Sequence, residues 1–362
     1  MIRKIRRLIT KSIIMIVCSF VNLKLHIKDF FMIYIRRLTY SEISLYTGIT
    51  DPGFVSKRVA IISCHPQKGT EWSIINLLKG LLDNGFLTFV VCNSVSDEYR
   101  TKILEHCHYY LERYQLGRDF GGYKHVLFRW GHLFNNTETI ILANDSMWYP
   151  KSITCAVKNI VDDGEDWSCL FESLHPSPHA QGYFQAFSKS FFNTDEWRTY
   201  WTKYKPYSSR SYSIKRGEIG LSKVFNKLGH RPASYYNGTK FINSLLEQFS
   251  ARNVPERFNL VSGLTFRGDQ FTTVQSIVST LGAKLTFGNP THTVGLLANY
   301  LFEAPVKRDV CYRGTYNYIE LLSSLSGFSS DELRLIENDI IRKGLPHSLR
   351  GIKKILYLGS VI

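Results

Sequence analysis

Arg113-Tyr-Gln-Leu-Gly-Arg-Asp-Phe-Gly-Gly-Tyr123 and, after an apolar helical segment, Thr139-Ile-Ile-Leu-Ala-Asn-Asp-Ser-Met-Trp-Tyr-Pro150 are the stretches whose reading decides the fold. In the first, Gly117, Gly121 and Gly122 let the backbone bend and approach a ligand closely. Arg118 and Asp119 put charge where a helix starts, and an aspartate there either caps the helix or faces a ligand. In the second, the apolar run from Ile140 to Ala143 reads as a buried strand, with Asn144-Asp145-Ser146 directly after it. Ligands of open α/β sheets collect beyond the carboxyl ends of the strands, so both stretches are expected to line one pocket.

The flanking sequence supports such a sheet. Arg58 to Cys64 reads as a buried strand, Glu71 to Asn84 as a helix closed by Gly85, and Phe86 to Cys92 as a second strand. Asp97 to His106 is a helix, and Tyr109 to Glu112 a short third strand. This βαβαβ order predicts parallel strands covered on both faces. Beyond Pro150 follow a helix to about Ile160, a strand from Trp167 to Phe171, and a strand from His179 to Phe187. Asp195 to Tyr204 is a helix whose Trp197 and Trp201 sit at core spacing. Arg216 to Gly229 reads as a helix with Leu221, Val224, Phe225 and Leu228 on one face and Glu218 in its first turn. Ser276 to Tyr300 reads as helical with a break at Gly288-Asn-Pro290. The segment from Ser329 reads as a helix followed by a basic tail with Arg350, Lys353 and Lys354.

A chain of 362 residues with 44% hydrophobic content can bury a sizeable core. Its 45 Lys and Arg against 30 Asp and Glu give a formal charge of +15, which favours anionic partners: nucleotide phosphates, anionic lipid or nucleic acid. Nucleic acid is discounted because none of its recognition motifs is present. The 7 cysteines form no Cys-x-x-Cys pair, which argues against a disulfide framework or zinc site and for a reducing cytoplasm. At the N-terminus, Arg3, Lys4, Arg6, Arg7 and Lys11 precede the apolar run Ile13 to Val21, which is shorter than the roughly 20 residues a bilayer span needs. Two readings stand: a helix lying on an anionic membrane surface, or an amphipathic helix packed on the body of the protein. The organisation expected is a basic amphipathic segment (1–50), an α/β domain (51–240) and a mostly helical extension packed on it (241–362).

With these motifs in view, the chain resembles the rhamnan synthesis protein F family, bacterial polysaccharide-assembly proteins related to glycosyltransferases of the GT-A fold. The resemblance runs from about Arg58 to Arg313. Beyond the Arg113–Tyr123 loop it is anchored by Leu142-Ala-Asn-Asp-Ser146, His179-Ala-Gln-Gly-Tyr-Phe184, Gly217-Glu-Ile-Gly-Leu-Ser222, Asn289-Pro-Thr-His292 and Lys307-Arg308. Gln115 stands where the family usually has Asn. The resemblance implies an α/β, GT-A-like, Rossmann-type mixed sheet flanked by helices, with an N-terminal basic helical segment and a helical C-terminal region. It implies transfer of a sugar, rhamnose or a similar deoxyhexose, from a nucleotide-sugar donor to a growing cell-surface glycan or a lipid-linked glycan. It also implies a position on the cytoplasmic face of the plasma membrane.

The residues assigned by this resemblance are Gly117, Arg118, Asp119, Gly121, Tyr123, Asn144 and Asp145 for the donor, with Asp145 also the contact for Mg²⁺ or Mn²⁺. A site with one carboxylate suits a metal that the donor phosphates help to hold; Arg or Lys balancing the leaving charge is the metal-free variant. Glu218 is the base that would deprotonate the acceptor hydroxyl, and His179 and Gln181 face the acceptor. Ile219 stands where related enzymes carry a second acid, which leaves a noncatalytic scaffold of the glycan machinery as the alternative. His175 and His179 are four apart, but Pro176 and Pro178 prevent a helical metal pair.

Overall fold

Arg58–Cys64, Phe86–Cys92 and Thr139–Asn144 are buried along nearly their whole length, because each is a parallel strand with helices on both faces. The computed structural model describes residues 2–35, 42–50, 56–65, 67–93, 96–248, 278, 281–282, 285–286, 288–312, 316, 318–344 and 349–358. In chain order the strands are β1 (Glu42–Thr47), β2 (Arg58–Cys64), β3 (Phe86–Cys92), β4 (Tyr109–Arg113), β5 (Thr139–Asn144), β6 (Met147–Trp148) and β7 (Trp167–Cys169). After them come β8 (Glu172–Ser173), β9 (His179–Ala180), β10 (Phe184–Ser188), β11 (Ala233–Ser234) and β12 (Val306–Lys307).

Eight strands form one mixed sheet in the order β1-β4-β3-β2-β5-β10-β7-β11. β4, β3, β2 and β5 are mutually parallel, while β10 runs antiparallel between β5 and β7. The chain proceeds outward from β2 through β3 to β4, then returns to place β5 on the other side of β2. The order therefore reverses between β2 and β5, and a crevice opens beyond their carboxyl ends. Ser63 pairs with Asn144 at that point, and the backbone amide of Asp145 donates to Ser63 O at 3.3 Å.

Side chains alternate across the strands as a period of two requires. Ala60, Ile62 and Cys64 enter one core with Leu77, Leu81, Ile153, Leu297 and Ile336. Val59 and Ile61 enter the other with Phe120, Tyr123, Trp167, Trp201 and Phe225. Trp197 and Trp201 are core residues of this second layer, Trp201 being 1% exposed.

Several expectations change. His179 to Phe187 is two strands: β9 pairs with β8, β10 joins the main sheet, and Gln181-Gly182-Tyr183 turns between them. At this turn Gly182 abuts the Glu218 side chain. The edge strand β1, antiparallel to β4, had no signal distinguishing it from the basic N-terminal segment. Glu218 does not begin a helix. Arg210–Tyr212 leads into a π-helical turn, Ser213–Glu218, and then into the α-helix Ile219–Lys227, so Glu218 sits at a π-to-α junction, a feature concentrated at functional sites. Leu228 is exposed rather than part of the buried face. Of the segment read as helical from Ser276, Pro290–Thr293 and Gly295–Phe302 are helices after an Asn289 cap, and residues 276–277, 279–280, 283–284 and 287 lie outside the described residues.

The helix Ile2–Phe30 packs on the body and keeps an apolar stripe exposed. Cys18 is buried against the helix Gly351–Leu358, with Sγ 4.0 Å from Ile355 O. Asp29 is buried and accepts from Ser208 N at 2.6 Å and Ser208 Oγ at 3.1 Å. Among the described residues no helix is long and apolar enough to cross a membrane.

Candidate active site

The crevice at the switch point is a cavity of about 520 Å³. Its wall on the sheet side comes from strand ends: His65 after β2, Asn93 after β3, and Asn144 and Asp145 at the end of β5. A larger hollow of about 750 Å³ lies at the opposite, amino-terminal ends of the strands, around Ser56, Phe86 and Glu138. It gathers no comparable set of charges, and its Lys57–Glu138 pair at 2.8 Å is solvent-exposed.

Asp145 is fixed from three sides. Its Oδ2 accepts from the His65 amide at 2.8 Å, its own amide bonds Ser63, and its carbonyl accepts from Arg308 Nη1 at 2.9 Å. Asp119 lies beside it: Asn144 Nδ2 donates to Asp119 Oδ2 at 2.9 Å, while Asn144 Oδ1 accepts from Ser146 N at 3.0 Å and Ser146 Oγ at 2.6 Å. Asp119 is thus not the cap of its helix; Gly117 occupies that position with φ +72°. Burial pushes the Asp119 carboxyl up to about 6, with Asp145 and Glu218 adding to the rise and Arg118 and Lys307 opposing it. Asp119 therefore feels the charge of both other carboxylates across the cavity.

Facing them is a cationic wall that the sequence reading did not assign. Lys307, Arg308, Arg210 and Lys343 line the cavity, together with His292 and Asp309. Lys307 Nζ donates to Ser146 Oγ at 2.9 Å, which ties β12 to the loop after β5. Arg308 is buried and bidentate to Asp339, with Nε at 3.0 Å and Nη2 at 3.1 Å from its two oxygens. Asp339, on the helix Ser330–Lys343, also accepts from Trp148 Nε1 at 3.2 Å, so the C-terminal helix holds the Asp145 loop through Arg308. Burial alone would raise the Asp309 carboxyl, but Lys307, His292, Lys343 and Arg210 hold it down at about 2. The Lys307-Arg308 dipeptide is visible in sequence, but its position at the cavity depends on β12 pairing with β6.

On the far side, Glu218 projects past Gly182, where a Cβ would lie 2.6 Å from Glu218 Cγ. Burial raises the Glu218 carboxyl, against the pull of Lys307, Arg210, the Gly182 amide and Arg118. His179, Gln181 and Asn289 form a chain: Gln181 Nε2 lies 3.2 Å from His179 Nε2, and Asn289 Nδ2 donates to Gln181 Oε1 at 3.4 Å. His179 Nδ1 lies 2.7 Å from Ser177 O, and with Nε2 facing the Gln181 amide the ring is held as the Nδ1–H tautomer. Burial lowers its proton affinity, which keeps it neutral.

Arg118, Asp119, Asn144, Asp145, His179, Gln181 and Glu218 all line this one cavity, whereas Gly117, Gly121 and Tyr123 stand behind it. A Cβ on Gly121 would lie 2.0 Å from Leu116 O, so this glycine seats its helix against the preceding turn rather than making room for a ligand. Tyr123 is buried, with its hydroxyl 3.5 Å from Gly182 O. Gly117 needs its left-handed backbone, and a Cβ there would lie 2.4 Å from Pro206 Cβ; its amide donates to Ser208 Oγ at 3.1 Å.

Residues 87–254 match the family model of rhamnan synthesis protein F. The sheet, with β10 antiparallel in a parallel frame and helices on both faces, is the mixed α/β architecture that the resemblance implied. The chain is 27% identical over 216 residues to the uncharacterized protein y4gN of Sinorhizobium fredii, an overlap of 58% of this chain and 56% of that one. Among solved structures it is similar, at 11% identity and a TM-score of 0.33, to a nucleotide-diphospho-sugar transferase of Desulfovibrio desulfuricans, covering 64% of this chain and 97% of that one. It is also similar, at 11% identity and a TM-score of 0.33, to a mannosyltransferase of Pyrobaculum calidifontis solved with GDP-Man and Mn²⁺, covering 80% of this chain and 89% of that one.

Among the described residues no three His, Cys, Asp or Glu side chains converge as a metal cage. Asp145 and Asp119 nevertheless fit a cation of the Mg²⁺ or Mn²⁺ type, which commonly takes one or two carboxylates and completes its shell with phosphate oxygens and water. Burial is the main cause of the Asp119 rise, and the smaller part that comes from the Asp145 charge is what such a cation would relieve.

Proposed function

We propose that the chain is a glycosyltransferase that moves a sugar, rhamnose or a similar deoxyhexose, from a nucleotide-sugar donor to a growing cell-surface glycan or its lipid-linked form. We place it at the cytoplasmic face of the plasma membrane. The observation that carries this reading is one cavity at the sheet's switch point with carboxylates on the strand side, a cationic wall opposite and a buried glutamate across from both. A diphosphate leaving group needs such an arrangement. Lys307 and Arg210 would hold its charge from one side, while Asp145 and Asp119 would hold a divalent cation from the other. When bound, that cation would neutralise the departing phosphate.

The chemical step is a substitution at the anomeric carbon. The acceptor oxygen forms the new bond, the bond to the diphosphate breaks with its electron pair leaving on phosphate, and the acceptor proton passes to Glu218. A carboxylate whose proton affinity is raised by burial is suited to that proton transfer near neutral pH. The neutral His179–Gln181–Asn289 chain presents uncharged donors and acceptors, which suits sugar hydroxyls.

Ile219, buried at the cavity's edge, keeps the scaffold reading in play, since no second acid stands beside Glu218. A calorimetric screen of nucleotide sugars with and without Mg²⁺ or Mn²⁺ tests donor binding directly. Asp145→Ala then separates the two readings: a transferase loses glycan assembly in cells while remaining folded, and a scaffold supports it unchanged.

A further inference from the structure

The helix Ile2–Phe30 carries seven Lys and Arg (Arg3, Lys4, Arg6, Arg7, Lys11, Lys24 and Lys28) and a single acid, Asp29, which is turned inward onto Ser208. Cys18 and Asp29 mark its packed face. On the opposite side, Ile13, Ile16, Phe20, Leu23, Ile27 and Phe30 follow one another at spacings of three and four, a single stripe with no charge in it. These side chains are open to solvent, Phe20 by 70%, Ile16 by 65% and Ile27 by 63%. A continuous apolar stripe of this length on a folded protein marks a surface made to be covered.

We propose that this stripe is an in-plane membrane-binding face, seated on a bilayer that contains anionic lipid. Charge selects this occupant over a second copy of the chain. The helix sequence has seven cations and one inward-turned acid, so two copies brought together repel, whereas anionic headgroups complement that charge. The helix is also too polar in total to span the bilayer, which leaves the interface plane.

The attachment orients the cavity. Ser208, held by Asp29, donates nothing further to the helix but accepts from the Gly117 amide, and Arg210, two residues on, lines the cavity. Tyr207 packs on His26 with ring centroids 4.8 Å apart. The end of the membrane-binding helix is thereby fixed to the rim of the site. Resting on the transferase reading above, this places the cavity at the headgroup level, where a lipid-linked acceptor would present its sugar.

The test is sedimentation of the full chain with vesicles of phosphatidylcholine alone and of phosphatidylcholine with phosphatidylglycerol. Binding is expected to the mixed vesicles, to weaken with added salt, and to fall roughly tenfold or more for each of Phe20→Glu and Ile27→Glu. Both positions are solvent-facing, so the circular dichroism and melting of the variants should match the parent. Equal binding to both vesicle types, or binding unaffected by the substitutions, overturns the proposal. So does a dimer in light scattering that Phe20→Glu converts to monomer, because the stripe would then be covered by a second copy. Vesicle binding by a chain that takes up no nucleotide sugar would sink the transferase reading and leave this one standing.

Discussion

Gly182 is required because of what lies opposite it. A Cβ built there would lie 2.6 Å from Glu218 Cγ, 2.9 Å from its Cδ and 3.0 Å from its Oε1. Carbon atoms in contact sit about 3.5–4.0 Å apart, so Gly182→Ala pushes the Glu218 carboxylate back by roughly 1 Å. The displaced atoms are the end of a side chain rather than backbone, so the stability cost should fall near the lower end of overpacking effects, about 1 kcal/mol. A reacting group misplaced by that distance costs on the order of 10²-fold in rate. Activity and stability are therefore expected to separate: kcat falls about a hundredfold while the urea midpoint moves slightly. Gly131→Ala is the control, since a Cβ at Gly131 meets nothing within 4 Å. Steady-state kinetics on the donor identified by the binding screen, alongside urea unfolding, measure both quantities. A Gly182→Ala enzyme within about threefold of the parent rate would refute the placement of Glu218 at the reacting centre.

The remaining predictions follow from the charges and backbone around the cavity. Asp119 binds its proton more tightly folded than unfolded, so the stability it contributes is complete below 3.8 and is lost as pH rises to about 6. That gap corresponds to roughly 3 kcal/mol, so Asp119→Asn should melt higher than the parent at pH 7 and no higher at pH 3.5; a gain independent of pH would contradict this. Asp339→Ala leaves Arg308 buried without its carboxylate and should cost about 3–5 kcal/mol in urea unfolding, and a loss below about 1 kcal/mol would mean that Arg308 finds another partner. Gly117→Ala meets both a left-handed backbone and Pro206, so a destabilisation of about 1–3 kcal/mol is expected, read as a lowered melting temperature. Chelation with EDTA should abolish the donor affinity that depends on Asp145, and calorimetry showing unchanged affinity would assign the diphosphate to Lys307 and Arg210 without a cation.

The parallel frame was legible in the sequence because uninterrupted runs such as Arg58–Cys64 and Phe86–Cys92 are what strands covered on both faces require, and Gly85 follows the end of the helix between them. The same local chemistry located Asn144-Asp145 at a strand end and the loop before Tyr123 at a helix start. Local pattern did not reveal the two-part strand around Gly182, because alternation continues in the sequence while β9 pairs with β8 and β10 with β5. Nor did it reveal the cationic wall. Lys307 and Arg308 are more than 160 positions from Asp145, and they reach it because Val306–Lys307 pairs with Met147–Trp148 and Asp339 holds Arg308 in place. Sequence alone determined the central parallel strands and the helices between them, since propensity and burial period act over neighbouring residues. Tertiary structure alone decided which charges meet, since that depends on where distant segments dock on the finished sheet.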